Sequence, residues 1–270
     1  MSKILDIESE DCFYENLTLG VVHILERTPR VSKIELERLA PCDRLVLTTW
    51  EQRHCCTMPE DLRNFYCSTD GFRLTWSYEF AGEVHPTGKM HINSVSDLRR
   101  LAGIKCAGDM DFPTLLDIEI CNQQESATPN FGVRCKIFEL DPCDGMAKVC
   151  LVYMDHGDSP DTRMREDPTI WLLDRCFEWH FLANTFTLYF RMMLVHQGLP
   201  QWQFRFTPMG LTPWAEQLFV QVAPHLLHGD AISTPVDWSD SQYNHLDPSV
   251  FRISCNSTRR RMDTVKKPAT

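Results

Sequence analysis

The sequence predicts an α+β protein, and three observations carry that expectation. Between residues 50 and 80 the apolar period changes. Leu62, Phe65 and Tyr66 stand at i, i+3 and i+4 on one face of a short helix, whereas Leu74, Trp76, Tyr78 and Phe80 alternate with Arg73, Thr75, Ser77 and Glu79 in the two-residue period of a half-buried strand. Residues 134–140 and 148–154 then flank a turn-forming Asp141-Pro142-Cys143-Asp144-Gly145, which reads as a hairpin. Finally, residues 177–197 form a long, almost wholly apolar stretch that reads as a helix.

Taken in order, residues 1–12 form an acidic arm expected to be disordered. Leu17, Val21, Ile24 and Leu25 mark an amphipathic helix that stops before Pro29. Residues 32–48 stay open between states, with a turn at Pro41-Cys42-Asp43 and a candidate strand at 45–48. The helix after Met58 is built from local signals. Pro59 sits where a missing N–H costs nothing, and Glu60 and Asp61 place negative charge in the first turn. Asp70-Gly71 ends it with residues that accept positive φ. A short strand follows at 90–92, and Ser96 is expected to cap a helical turn. Residues 103–132 and 155–168 read as loop insertions, and 170–173 as the last buried strand.

Within 177–197, Phe181, Leu182, Tyr189, Met192 and Met193 would face the core. Phe177, Trp179, Phe186, Leu188, Phe190 and Leu194 leave little polar face, so the helix must be covered by the C-terminal segment or by a partner. Gly198 ends it. A further helix is expected near 213–222, with Trp214, Leu218, Phe219 and Val222 on one face. The division expected is therefore a domain at 13–200, a helical extension at 201–228, and a largely disordered tail at 229–270.

The chain of 270 residues is 43% hydrophobic and 24% charged, enough to bury a core. No apolar run approaches a membrane span, and acidic residues stand where a signal peptide needs an apolar segment, so a soluble intracellular protein is expected. The twelve cysteines include no C-x-x-C pair, which argues against zinc. Cys67, Cys135, Cys150 and Cys176 fall inside expected helices or strands and read as reduced core thiols. The net charge of −10 argues against nucleic acid as a partner, and it is unevenly spread. Residues 256–270 carry +4, through Arg259, Arg260, Arg261, Lys266 and Lys267 against Asp263, which leaves −14 on residues 1–255.

The chemistry-bearing motifs are missing from the sequence. It has no phosphate loop, no G-x-G-x-x-G, no G-x-S-x-G elbow and no H-E-x-x-H. His180 reads as a packed or surface histidine, and His156, in Asp155-His-Gly-Asp158, as part of an acidic turn that could bind a cation weakly. Tyr189 and His196 lie two helical turns apart and share a face, which packing explains. No catalytic, cofactor-binding or metal-binding residue is assigned. Trp50, Trp76 and Trp171 suit the core of the sheet. Trp202, Trp214 and Trp238 lie outside it, and tryptophan is enriched at binding hot spots. The candidate partner-binding residues are Trp202, Trp214, Arg259, Arg260, Arg261, Lys266 and Lys267.

The Trp50-Glu51 lead, the Met58-Pro59-x-Asp61 helix with its aromatic residues and the Asp70-Gly71 turn into a strand resemble the opening of the SUKH superfamily. That resemblance implies a mostly antiparallel central sheet flanked by helices, in a class of adaptor, regulatory and immunity proteins. Residues 16–27, 45–100, 137–154 and 170–202 are similar, in the same order, to blocks of the tubulin polyglutamylase complex subunit 2 family. The run from Trp171-Leu-Leu-Asp174 to Gly198-Leu-Pro-Gln-Trp202 is the most specific part. This second resemblance implies a non-catalytic accessory subunit supporting ATP-dependent addition of glutamates to tubulin tails. It also implies a tubulin-tyrosine-ligase-like catalytic partner, other complex subunits, and a place on microtubules and centrosomal structures in the cytoplasm. The competing expectation is a free-standing SUKH-type regulatory or protein-binding module unconnected to tubulin. An enzyme in its own right would need an ATP site.

Overall fold

The computed structural model describes residues 11–101, 135–154 and 167–227. The chain is α+β, with two antiparallel sheets and six α-helices among the described residues. Helix α1 covers residues 11–18 and α2 covers Val21–Arg27. The single helix expected here is broken because Leu19 and Gly20 both take positive φ, at 51° and 77°. After the break Leu17, Val21 and Leu25 remain buried, while Ile24 turns to solvent.

Strand β1 (Val31–Leu36) and helix α3 (Arg44–His54) correct the open region. Residues 45–48 are helical rather than extended because Asp43 caps them, its carboxylate accepting from the Leu45 amide at 2.9 Å. Helix α4 (Glu60–Tyr66) and strand β2 (Phe72–Phe80) form as their periods require, and Gly71 takes φ 104° between them. The short strand at 90–92 is the end of a longer one, β3 (Glu83–Ile92), which Pro86 and Gly88 hide from a propensity reading. Ser94, not Ser96, stands before the following 3₁₀ turn, Val95–Asp97. Sheet one has the order β1-β2-β3.

Sheet two runs β4 (Lys136–Asp141), β5 (Ala147–Tyr153), β6 (Thr169–Asp174) and β7 (Trp179–Ala183), each strand paired with the next. The expected 177–197 helix is thus two elements, and 170–173 is not the last strand. Asp174 is the reason: its Oδ1 accepts from the amides of Cys176 and Glu178 at 2.8 and 2.9 Å, closing a turn that sends 179–183 back along β6. Phe181 consequently leaves the core and is 42% exposed, while Cys176 is exposed in the turn. Helix α5 (Phe186–Val195) starts only after Thr185, whose hydroxyl accepts from the Leu188 amide. Helix α6 (Pro213–Val222) follows a 3₁₀ segment, Trp202–Phe206.

The two sheets are stitched by residues 93–101, which run along the edge of β4. Asn93 donates to the Leu140 carbonyl, Glu139 to Arg99 and Leu101 to Ile137, all at 2.8–2.9 Å. One apolar core, from Phe13 to Ala223, fills the space between sheets and helices and includes Trp50, Trp76 and Trp202. At its centre Phe65, Phe72, Phe186 and Phe190 pack edge-on or tilted, 4.9–5.7 Å between ring centroids. The other face of sheet two carries a smaller cluster with Cys135, Ile137, Cys150, Trp171 and Trp179.

Candidate functional site

A cleft of about 480 Å³ opens where three parts of the chain meet. One wall is the β2–β3 hairpin, the second the turn between β4 and β5, and the third residues 198–204 with the start of α6. Backbone geometry holds these parts together. The Lys89 amide donates to the Gly198 carbonyl at 2.8 Å, extending the edge of β3 with the segment after α5. Trp76 Nε1 donates to the Gln197 carbonyl at 2.8 Å. Gly198, at φ 64°, lets the two backbones approach: a Cβ there would lie 2.7 Å from the Lys89 carbonyl.

The floor is polar and buried. Asp141 Oδ1 accepts from the Cys143 amide at 2.9 Å, and Oδ2 accepts from the Tyr189 hydroxyl at 3.2 Å. Burial still outweighs these bonds and raises the Asp141 carboxyl to about 6. Burial also pushes the Cys143 thiol well up, so it stays protonated and is a poor nucleophile at neutral pH. Lys89 at the side pairs with Asp144. His91 lines the cleft with its Nδ1 buried and without a hydrogen-bond partner, and burial lowers the pKa of that imidazole.

Behind the third wall Trp202 stacks against two rings, Tyr189 on α5 and His196 at its C-terminal cap. Tyr189 stacks on it at 5.6 Å and His196 at 5.0 Å, with interplanar angles of 30° and 20°. His196 Nδ1 donates to the Met192 carbonyl at 2.7 Å, and Nε2 faces Arg205 at 3.4 Å. Burial drops the pKa of His196 to about 4, so it is neutral at pH 7. The shared face of Tyr189 and His196 is therefore a core contact.

Of the sequence-predicted partner residues, Trp202 is 2% exposed and forms part of the cleft wall, whereas Trp214 is 52% exposed at its mouth. Arg259, Arg260, Arg261, Lys266 and Lys267 lie outside the described residues, as do Trp238 and His156. Sequence reasoning missed Phe80, Met146, Lys89, His91, Asp141 and Asp144 at this site. The acidic 141–145 turn was visible as a turn, but nothing local marks its meeting with residues 198–204.

Among the described residues one group could hold a cation: Asp174, Glu178 and His180 offer ligand atoms within 4.8 Å of one another. His180 Nε2 already donates to Asp174 Oδ2 at 3.0 Å, and the other Asp174 oxygen closes the β6–β7 turn, so two of the three groups are engaged within the chain.

Comparison with known proteins gives one consistent answer. No family model matches the chain, and no solved structure matches it. The mouse and rat proteins named tubulin polyglutamylase complex subunit 2 are each 41% identical to it over 244 residues, covering 88% of this chain and 80% of theirs. The human protein of that name is 41% identical over 243 residues, covering 88% of this chain and 79% of its own. Identity of that extent means that the chain belongs to the tubulin polyglutamylase complex subunit 2 family.

Proposed function

We propose that this chain is a non-catalytic accessory subunit of the tubulin polyglutamylase complex, supporting ATP-dependent addition of glutamates to tubulin tails by a separate catalytic subunit. The observation that carries the reading is the 41% identity over 88% of the chain to proteins named as subunit 2 of that complex. The chemistry of the cleft supports a binding role. Its thiol is held protonated, and its buried carboxylate is spent on Tyr189 and the Cys143 amide. The partners proposed are a tubulin-tyrosine-ligase-like catalytic subunit, other subunits of the complex, and microtubules, reached indirectly or through Arg259–Arg261, Lys266 and Lys267. No cofactor, nucleic acid or membrane enters the proposal. The location that goes with it is the cytoplasm, on microtubules and centrosomal structures.

Charge supports the division of labour. Tubulin tails are acidic, and residues 1–255 carry −14, so the body repels them within a Debye length of about 8 Å at physiological salt. Contact with tubulin falls to the basic residues 259–267. A native pull-down of the tagged chain tests the reading, with the eluate and the purified chain each assayed for glutamate incorporation into tubulin. Activity in the eluate and not in the isolated chain is expected. Activity in the isolated chain would overturn the non-catalytic role, and activity in neither would favour a free-standing binding module.

A further inference from the structure

We propose that a basic ledge where the C-terminus of α3 meets the start of β4, formed by Arg53, His54, Arg100 and Lys136, docks a short acidic segment of another subunit. The carboxylates of that segment pair with the two arginines and the lysine. The inference rests on the accessory-subunit reading, since it takes the partner from the same complex.

Three parts of the chain bring these side chains together. Arg53 and His54 are the last two residues of α3. Arg100 stands opposite Phe138 in an antiparallel bridge, so the two share a face, and Lys136 lies two residues before Phe138 on that same face. The His54 ring packs edge-on against Phe138 at 4.9 Å, and Lys136 Nζ donates to the Cys55 carbonyl at 2.6 Å, which fixes the helix end on the strand. Arg100, Arg53 and Lys136 all lie near enough to His54 to add to the burial that lowers its pKa. The support beneath is packed: Trp50 and Phe138 meet at 4.7 Å, and the Tyr153 hydroxyl, opposite Lys136 on β5, donates to the Thr57 carbonyl at 3.0 Å.

Helix structure accounts for part of this charge. Cations are favoured at a helix C-terminus, which suits Arg53 and His54, and Lys136 satisfies one terminal carbonyl. It does not account for Arg100, which arrives from a different segment, or for the donors left over. Arg53 and Arg100 are exposed and have no ion pair among the described residues, and the Lys136 ammonium keeps further donors. The carboxylates at hand are Glu51, already paired with Arg63, and Asp167, near Tyr153.

Charge selects the class of occupant. Residues 1–255 carry −14, so a ledge with unpaired arginines is a local reversal of sign. Guanidinium edges bind carboxylates in bidentate fashion. A short acidic segment held by a folded partner fits within the ledge. A long acidic tail such as that of tubulin would run beyond it onto a body of like net charge.

The test treats the assembled, glutamylating complex with a carbodiimide, which joins a lysine to a carboxylate in direct contact, and reads the partner of Lys136 by mass spectrometry. A crosslink to an Asp or Glu of another subunit is expected. Lys136→Arg should abolish it without lowering recovery of that subunit. Arg53→Glu with Arg100→Glu should lower the recovery about tenfold, and Arg100→Gln alone about threefold. Arg27→Glu with Arg44→Glu makes the same change of charge at exposed sites, the end of α2 and the far end of α3, and should leave recovery unchanged. A crosslink from Lys136 to residues 102–134 or 155–166 of the same chain, to a second copy or to tubulin would overturn the proposal. So would equal losses from the two arginine pairs, or no crosslink at all. If the unaltered chain enters no glutamylating complex, the accessory-subunit reading fails first. A complex that assembles and glutamylates unchanged with the ledge reversed defeats this proposal alone.

Discussion

Gly88 shows how a single residue sets the fold of β3. A Cβ at this position would lie 1.9 Å from atoms of the Trp76 indole, so the glycine is the space in which that ring rests. The ring is buried and anchored through its N–H to Gln197, and it cannot swing away without breaking the join between β2 and the segment after α5. Gly88→Ala should therefore cost about 3 kcal/mol or more, read from urea unfolding. Gly82, at φ 85° in the hairpin tip with open space around its Cβ site, serves as the comparison. Replacing it with Ala should cost only about 1 kcal/mol, for the strained φ alone. Equal losses at the two sites would mean that Trp76 does not occupy the place described. The sequence displays Gly88 as a weak strand residue, and only the position of the indole shows what the glycine is for.

Among the elements, α5 depends on a residue distant in sequence. Asp61, in the first turn of α4, accepts from both the amide and the hydroxyl of Thr187 at 2.9 Å. One carboxylate thus serves the N-termini of two helices, where it is also favoured by the helix dipoles. Asp61→Ala should destabilise the chain by about 2 kcal/mol in thermal or urea unfolding, the scale of hydrogen bonds to a charged acceptor. A loss no larger than that of a surface Asp→Ala change would refute the shared cap. The same helix links two buried titrating groups of opposite sign. Asp141 has its carboxyl raised to about 6, so its contribution is full below the unfolded value of 3.8 and is lost as pH rises through about 6. His196 has its pKa lowered to about 4, so its contribution is present above 6.5 and is lost as pH falls through about 4. Each is worth up to about 3 kcal/mol, and between pH 4 and 6 they offset one another. Asp141→Asn should leave a chain that loses stability on acidification from pH 6.5 to 4. His196→Asn should leave one that gains stability over pH 6 to 4. Urea midpoints measured against pH that run parallel in both variants and the unaltered chain would exclude this arrangement.

At the scale of the whole molecule, the sequence divides its charge, −14 on residues 1–255 and +4 on residues 256–270, and the proposed function gives the two parts different partners. Removing residues 256–270 takes away the +4 segment and leaves the described core untouched. The shortened chain should assemble into the complex as before while co-sedimenting less with microtubules, and the difference should shrink at high salt. If assembly collapses instead, the segment is structural and the division of charge has been misread.

Local chemistry alone determined much of this molecule. The Pro59-Glu60-Asp61 start, the Gly71 turn and the alternation of β2 specify their elements because propensity, turn geometry and burial agree within a few residues. The hairpin across 141–145 was legible for the same reason. The family resemblance was legible because blocks such as 170–202 keep both order and identity. Tertiary structure decided the rest. Residues 179–183 are apolar enough for either state, and they become a strand because the exposed edge of β6 supplies hydrogen-bond partners and Asp174 turns the chain onto it. Residues 45–48, equally apolar, become helix because Asp43 caps them. The cleft was invisible in the sequence because its walls come from residues 78–91, 141–146 and 198–218, and only the bonding of Gly198 to β3 and the clamp on Trp202 bring them together.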